Sequence, residues 1–477
     1  MSKNQEVLQY VQKQLSLTPA RVNTLAKDRN GNEYPKRYLF YRMKEYTADF
    51  LNNNSETRWI IIPGLRGVGK TTVLAQLYLE LKNKELDFLF ISLDEINNLL
   101  KVGLAEVLES YEQILGVSFE KLEKPIFLFI DEAQTDSNWA GILKNLYDKT
   151  KNIFIVSSGS SAIGLQMNAD VARRAIVEKL YPLSFSEYGM IKNKVEPAKN
   201  LPKEIKQAIF FSASAEKAYK KLKMMEPGVN QYWSKIERLE IKQYLTVGTL
   251  PFALSLKEQA QVFDAISLLL DKVISKDMTD LGKFDTKTLG AVKRLLLILA
   301  ESDAISLYKL ERVLEINRQT IAEILDVLEK AELLIRVPAH GANIAIVKKP
   351  AKYLFMSPAI RMTFFSIAGI EGTWLTRQGK LLEDVVAFYY HREFLSKGIG
   401  SISYDSSEGS ADFIFRVDNK IQIAAEIGIG KKNAKQIAKT LKNIKCDYGI
   451  VISQGELKLD KTDNNILMVP MDYFLLI

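Results

Sequence analysis

The sequence is poor in the residues that build covalent and metal frameworks. Its 477 residues contain one cysteine, Cys446, and two histidines, His340 and His391. One cysteine closes no disulfide within the chain, and the three residues together cannot make a zinc site of the common Cys/His kind. Nucleophilic catalysis by a Cys/His pair is not expected for the same reason. No uncharged run approaches the ~18 residues that span a bilayer, so no membrane partner is expected. A basic-then-apolar leader is missing at the N-terminus, and with no disulfide framework the expected location is a reducing one, the cytoplasm.

What is present is a globular composition, 47% hydrophobic and 26% charged, which excludes a disordered or collagenous chain. The length suits roughly three domains of about 150 residues. Lys and Arg number 65 against 57 Asp and Glu, a net charge of +8 that suits anionic partners such as nucleotides or nucleic acids. Residues 1–36 read as an N-terminal helical extension and a loop, with Asn30-Gly31-Asn32 as the turn signal. From Arg37 apolar residues recur at helical spacing. Four short apolar runs then follow, at 59–62, 88–91, 126–130 and 153–156, separated by helical patterns. Strand, helix, strand in that order predicts an α/β fold with a buried parallel sheet.

Between Lys192 and Gln243 there are twelve Lys/Arg and six Asp/Glu, so much of the net charge lies in one helix-rich segment. From Leu289 to Val337 the pattern is helix, helix, turn, a helix over Gln319–Ala331, and a strand, the order of a winged helix. The last part alternates helix and strand again, with strands expected at 399–404, 411–417, 421–427 and 448–453.

The strongest motif is Gly64-Leu65-Arg66-Gly67-Val68-Gly69-Lys70-Thr71, which follows the first strand and opens a helix. Glycines let such a loop curl so that its N–H groups face inward, and the helix N-terminus adds partial positive charge where phosphate oxygens lie. The loop therefore predicts ATP with Mg²⁺ as cofactors: Lys70 reaches the β- and γ-phosphates, Thr71 holds the metal, and Thr72 touches the α-phosphate. Its plain alternative is a Gly-rich turn that binds nothing. Asp131-Glu132, ending the strand at 126–130, supplies the second element of such a site. Asp131 is the expected Mg²⁺ carboxylate and Glu132 the expected base for the attacking water.

With these motifs the chain resembles bacterial and archaeal AAA+-type ATPases in which the P-loop domain precedes a helical lid, a winged helix and a C-terminal restriction-endonuclease-like domain. The resemblance rests on Pro63 to Thr72, Asp131-Glu132-Ala133-Gln134, Ser158-Gly159-Ser160-Ser161, the Pro182 to Tyr188 string, Gly248-Thr249-Leu250-Pro251 and Leu381-Leu382-Glu383-Asp384. It covers the chain from about Arg37, beyond the extension at 1–36, and implies the ATPase domain at 37–190, the lid at 191–284, the winged helix at 285–356 and a mixed α/β restriction-endonuclease-like domain at 357–477. It further implies that Ser158 is a sensor of the γ-phosphate. Arg173 and Arg174 lie where relatives carry an arginine that a neighbouring subunit receives, which allows for a homo-oligomer. The alternative for these arginines is pairing with Asp170 or Glu178 on a helix face.

In the last domain the resemblance points to Asp412 and Glu426 as an acid pair. A nuclease of that fold also places a lysine two residues after the second acid. Gly428 stands there, and Lys431 or Lys432 would have to fold back to replace it, so a vestigial, non-cleaving domain is expected. Lys431, Lys435, Lys439 and Lys442 share one face of a helical pattern, a surface for phosphates or a solvated stripe. The exposed acids Glu323, Asp326 and Glu329 on the second helix of the helix-turn-helix weigh against DNA there, and the basic lid segment weighs for it. The expected function is an ATP-hydrolysing enzyme that couples nucleotide state to domain rearrangement on DNA. The alternatives are an ATP-gated nuclease and a nucleotide-dependent protein scaffold.

Overall fold

The computed structural model describes every residue except 1, 54, 83, 85, 162, 164–168, 279–283, 342–348, 368–373, 431–433, 461, 462 and 464. The chain divides into two compact units, at Tyr181 and Pro182.

The first unit is built on five parallel strands: β1 (Trp59–Pro63), β2 (Asp87–Ser92), β3 (Ile126–Asp131), β4 (Ile153–Gly159) and β5 (Ile176–Val177). Their order is β2-β3-β4-β1-β5. β1, β3 and β4 are buried along their whole length, which is why they read as unbroken apolar runs. The two-residue β5 carries no such run and leaves no signal in the sequence. The stretch 1–36 belongs to this unit. Its helix, Lys3–Ala26, buries Val7, Val11, Thr18 and Val22, and the two N-terminal valines join the core around Trp59, Ile61 and Leu89. With the buried Gln14 between Val11 and Thr18, those positions are three or four apart in an otherwise polar helix, a stripe too thin to be conspicuous in sequence.

The second unit opens with the helix Phe185–Lys192, started by a reciprocal cap. Ser184 Oγ accepts from the Glu187 N–H at 3.3 Å and Glu187 Oε2 accepts from the Ser184 N–H at 3.4 Å. The Leu183 N–H donates to Thr249 O and the Phe185 N–H to Tyr389 Oη, each at 2.7 Å. The Pro182 to Tyr188 string therefore belongs to this unit, ahead of the expected limit at 190. Gly248 allows the Tyr188 ring to lie against its backbone, where a Cβ would clash.

Helices Leu201–Phe210 and Ala215–Trp233 follow, with apolar faces buried and lysines outward. After further helices, among them Leu239–Gln243 and Gln259–Lys272, come the helix Thr286–Glu301, β6 (Ala304–Ile305), the helices Leu307–Leu314 and Arg318–Lys330, β7 (Leu334–Val337) and β8 (Ala351–Phe355). The three strands form an antiparallel sheet in the order β6-β8-β7. The last sheet has six strands: β9 (Gly400–Ser403), β10 (Phe413–Val417), β11 (Ile421–Ile427), β12 (Tyr448–Ser453), β13 (Lys458–Leu459) and β14 (Ile466–Pro470). Its order is β13-β14-β12-β11-β10-β9, with β11, β12 and β14 parallel and the rest antiparallel. The helix Trp374–Glu393 packs near it and carries Asp384, whose buried carboxylate takes two bonds from Arg361, at 2.6 and 2.8 Å, and one from the Phe355 N–H at 2.8 Å. Among the described residues no helix is long and apolar enough to cross a membrane.

Candidate functional site

The carboxyl ends of β1, β3 and β4 bring together the residues expected of a nucleotide site. The loop after β1 turns through Gly67 (φ +81°) and Gly69 (φ +95°), a conformation L side chains rarely adopt. Gly64 lies against the carbonyl of Leu180, so a Cβ there would clash. The Lys3–Ala26 helix is followed by Arg37, whose buried guanidinium donates to Val68 O at 2.8 Å and steadies the loop from outside. Lys70 is buried, its ammonium turned inward to donate to Gly64 O at 2.9 Å and Leu65 O at 3.2 Å. Thr72 is half-buried one residue into the helix after Thr71.

Thr71 Oγ1 donates to Asp131 Oδ2 at 2.6 Å, and Ser158 Oγ donates to Asp131 Oδ1. Burial, with the neighbouring Glu132 carboxylate, pushes the Asp131 carboxyl above its ordinary pKa, against the bonds from Ser158 and Thr71 and the charge of Lys70. Glu132 sits at φ +53° and is held on both oxygens, by Gln134 Nε2 at 2.6 Å and by Arg66 Nη1 at 3.4 Å. One carboxylate and one hydroxyl suit Mg²⁺, a hard cation that keeps waters and phosphate oxygens in the rest of its shell. Arg173 and Arg174 lie elsewhere on the unit: Arg173 pairs with Asp170, and Arg174 with Asp148 at 2.7 and 3.0 Å.

The second acid cluster lies just ahead of β10. Asp412 Oδ2 accepts from the Ile427 N–H at 2.9 Å, and the register of β10 on β11 places Asp412 across from the buried Glu426. The sequence leads one to expect no cation here, because of Gly428, and the structure corrects that. Lys352, from β8, brings its Nζ to 3.5 Å from Asp412 Oδ1 and 3.9 Å from Glu383 Oε2. Burial pulls the Lys352 ammonium down, but Glu383 and Asp412 outweigh it and the net shift is upward. Burial, then the Asp412 charge, lifts the Glu383 carboxyl from 4.5 to about 8. Lys431 and Lys432 lie outside the described residues. Lys435, Lys439 and Lys442 are exposed on the helix Lys435–Asn443, with Ile437 buried beneath. Among the described residues no group of three or more His, Cys, Asp or Glu is disposed to hold a metal ion.

Residues 56–189 match the family described as AAA domain, and residues 238–371 match a domain of unknown function. The uncharacterized protein MJ1637 of Methanocaldococcus jannaschii is 35% identical over 451 residues, 94% of this chain and 90% of its own length. The chain belongs to the family of that protein. MJ1544 of the same organism is 23% identical over 420 residues, 84% of this chain and 83% of its own. Among solved structures, Aeropyrum pernix ORC1 in complex with DNA is similar at 11% identity and a TM-score of 0.31, over 70% of this chain and 92% of that one. In this member of the MJ1637 family an AAA domain of the P-loop type thus precedes a long second unit.

Sequence reasoning missed Arg37 and Lys352. Arg37 acts on the loop through a backbone carbonyl, a role no motif records. Lys352 comes from β8, 60 residues ahead of Asp412, a strand that no motif marks.

Proposed function

We propose that the chain binds ATP with Mg²⁺ at the P-loop, hydrolyses it, and uses the nucleotide state to reposition the second unit, with DNA as the surface acted on. The observation that carries this reading is the closure of Thr71, Ser158 and Asp131 on one another, with Glu132 alongside. When bound, the metal supplies charge neutralisation for the phosphate oxygens, and Thr71 and Asp131 are the residues to hold it. Lys70 binds the β- and γ-phosphates, Ser158 reads the γ-phosphate through Asp131, and Glu132 accepts the proton of the attacking water once a nucleotide draws Arg66 off its Oε1. Transmission has a local basis: the Leu180 N–H donates to Pro63 O at 2.9 Å, so the chain just ahead of Pro182 is bonded to the strand end from which the loop springs. An arginine from a neighbouring copy, Arg173 or Arg174, completes the site in an oligomer after leaving its present carboxylate.

The helix-turn-helix and sheet at 286–355 support the winged-helix reading, and the six-stranded mixed sheet with flanking helices supports the restriction-endonuclease-like one. A second function, ATP-gated cleavage of nucleic acid, gains one observation, the arrival of Lys352 beside Asp412. Following phosphate release and strand breaks together, with ATP, Mg²⁺ and plasmid, tests both. ATP-dependent phosphate release without breaks supports the first reading; absence of phosphate release overturns it.

A further inference from the structure

Apart from the acid and lysine cluster, the second unit has a crevice outside the carboxyl ends of its three parallel strands. Ile429 follows β11, Ser453 ends β12 with Gln454 beyond it, and Pro470 ends β14; all line a cavity of about 540 Å³. That volume lies within the ~300–1,000 Å³ of small-molecule sites, and this edge of an open α/β sheet is where backbone and loops converge to receive ligands. The opposite wall is the helix Leu239–Gln243 with its preceding Arg238, and the helix Trp374–Glu393 adds Gln378.

The lining divides by chemistry. Among the described residues of the lining, Arg238 and Lys242 are the cations and Asp472 the acid. Arg238 is paired with Asp472 and lies over the Trp233 ring, 4.9 Å from its centroid, so its planar fork is held in place at the mouth. Ile429 and Met471 provide an apolar floor, and the amides of Gln378 and Gln454 offer donor and acceptor together. Gln378 and Ser453 are 6% and 2% exposed, so these polar groups are fixed by packing rather than recruited from solvent.

A ligand that satisfies all three sets carries a phosphate, a flat heteroaromatic body and a polar edge. We propose that this crevice binds one nucleotide unit, its phosphate on Arg238 and Lys242, its base against Ile429 and Met471, and its edge read by Gln378 and Gln454. The same chemistry comes from a free mononucleotide or from a strand of single-stranded nucleic acid. The crevice shares elements with the acid and lysine cluster. Gln378 is five residues ahead of Glu383 on one helix, roughly 7.5 Å along its axis, and Ile429 is three residues past Glu426. The inference is independent of the P-loop reading, because none of these residues belongs to the first unit.

The test uses the full chain carrying Lys70→Ala, without Mg²⁺, so that the P-loop does not compete. AMP binding is followed by calorimetry and a fluorescein-labelled ten-residue oligothymidylate by anisotropy. Lys242→Ala removes a cation from the wall. Gly455→Met fills the crevice without altering charge, since a Cβ there meets only Ser453 Oγ, at 3.4 Å. Each is expected to weaken binding roughly tenfold or more, while Lys420→Ala, on a distant exposed turn, leaves it unchanged. AMP binding with no oligothymidylate binding identifies a free nucleotide as the source; oligothymidylate binding displaced by AMP identifies a strand. Binding that falls with Lys242→Ala but survives Gly455→Met, or that polyglutamate displaces as well as AMP does, overturns the proposal. So does failure of both probes to bind. Binding insensitive to both Lys242→Ala and Gly455→Met lies outside the crevice and overturns the proposal as well, while leaving the P-loop reading untouched.

Discussion

Thr71 and Asp131 are 60 residues apart in sequence and 2.6 Å apart in space, hydroxyl to carboxylate. The bond joins the helix that begins at the P-loop to the end of the neighbouring-but-one strand, and it keeps together the hydroxyl and the carboxylate that would hold a metal ion if one were bound.

Beside that pair, Lys70 is the ammonium held within the curl of the loop, by the Gly64 and Leu65 carbonyls. Lys70→Ala is expected to weaken ATP binding and to cut hydrolysis by roughly 10²-fold or more, as loss of one preorganised charge on a transferring phosphoryl group does. Nucleotide affinity and phosphate release measure it. Normal turnover would move the active site elsewhere.

Glu132→Gln keeps the shape and the Gln134 neighbour while removing the proton acceptor, so ATP should remain bound and its cleavage should fall by roughly 10²–10⁴-fold. Asp131→Ala should instead impair Mg²⁺-dependent binding. Because burial raises the Asp131 pKa, Mg²⁺ affinity should decline on acidification earlier than for an exposed carboxylate. Single-turnover phosphate release separates these effects, and full activity in Glu132→Gln would remove it as the base.

The AAA domain is legible because its chemistry is local and its central strands are buried on both faces. Gly64 to Thr71 and Ile126 to Glu132 are contiguous strings, and fully buried strands write themselves as apolar runs. β11 and β12 are likewise readable over 421–427 and 448–453. The Lys3–Ala26 helix reads as an extension because its buried stripe is thin. The cluster around Asp412 is half legible: Asp412 and Glu426 come from the family resemblance, but the cation arrives from β8 in another sheet, and no spacing rule reaches across that distance. Arg361 and Asp384, buried and doubly bonded, show why Leu381 to Asp384 stands out: Asp384 is structural.

Glu383 gives a pH signature. Its folded pKa is near 8 and its ordinary one 4.5, so the unfolded chain releases the proton first as pH rises. The stability that protonated Glu383 supports is therefore full below about pH 4.5, and is lost progressively up to about pH 8. Glu383→Gln should flatten the pH dependence of the denaturation midpoint across that window. An unaltered profile would mean that Lys352 already keeps Glu383 ionised.

Lys435, Lys439 and Lys442 project from a helix anchored by Ile437. If they neutralise phosphates, changing all three to Ala should lower DNA affinity. The slope of log affinity against log salt should then flatten by roughly 0.9 for each duplex phosphate that no longer meets a lysine. Titrations at several salt concentrations read both. An unchanged slope would leave them as a solvated face.

The last prediction concerns cleavage. A metal-dependent phosphodiester site needs carboxylates to hold Mg²⁺ and a cation near the scissile phosphate. Here Asp412 Oδ2 is occupied by the Ile427 N–H, and Oδ1 faces Lys352, which also lies toward Glu383. The lysine thus stands among the acids as their counter-charge, and a metal ion drawn to them meets its repulsion. Gly428 cannot relieve it from the expected position. We therefore expect no Mg²⁺-dependent strand scission where the P-loop domain hydrolyses ATP. Removing the counter-charge with Lys352→Met should destabilise the second unit by about 3–5 kcal/mol, the usual result of leaving one side of a buried pair unbalanced. Chemical denaturation measures that cost, and a gel of nicked plasmid measures scission. Scission in the unaltered protein that vanishes in Asp412→Ala would make Lys352 a working part of a nuclease instead of its plug.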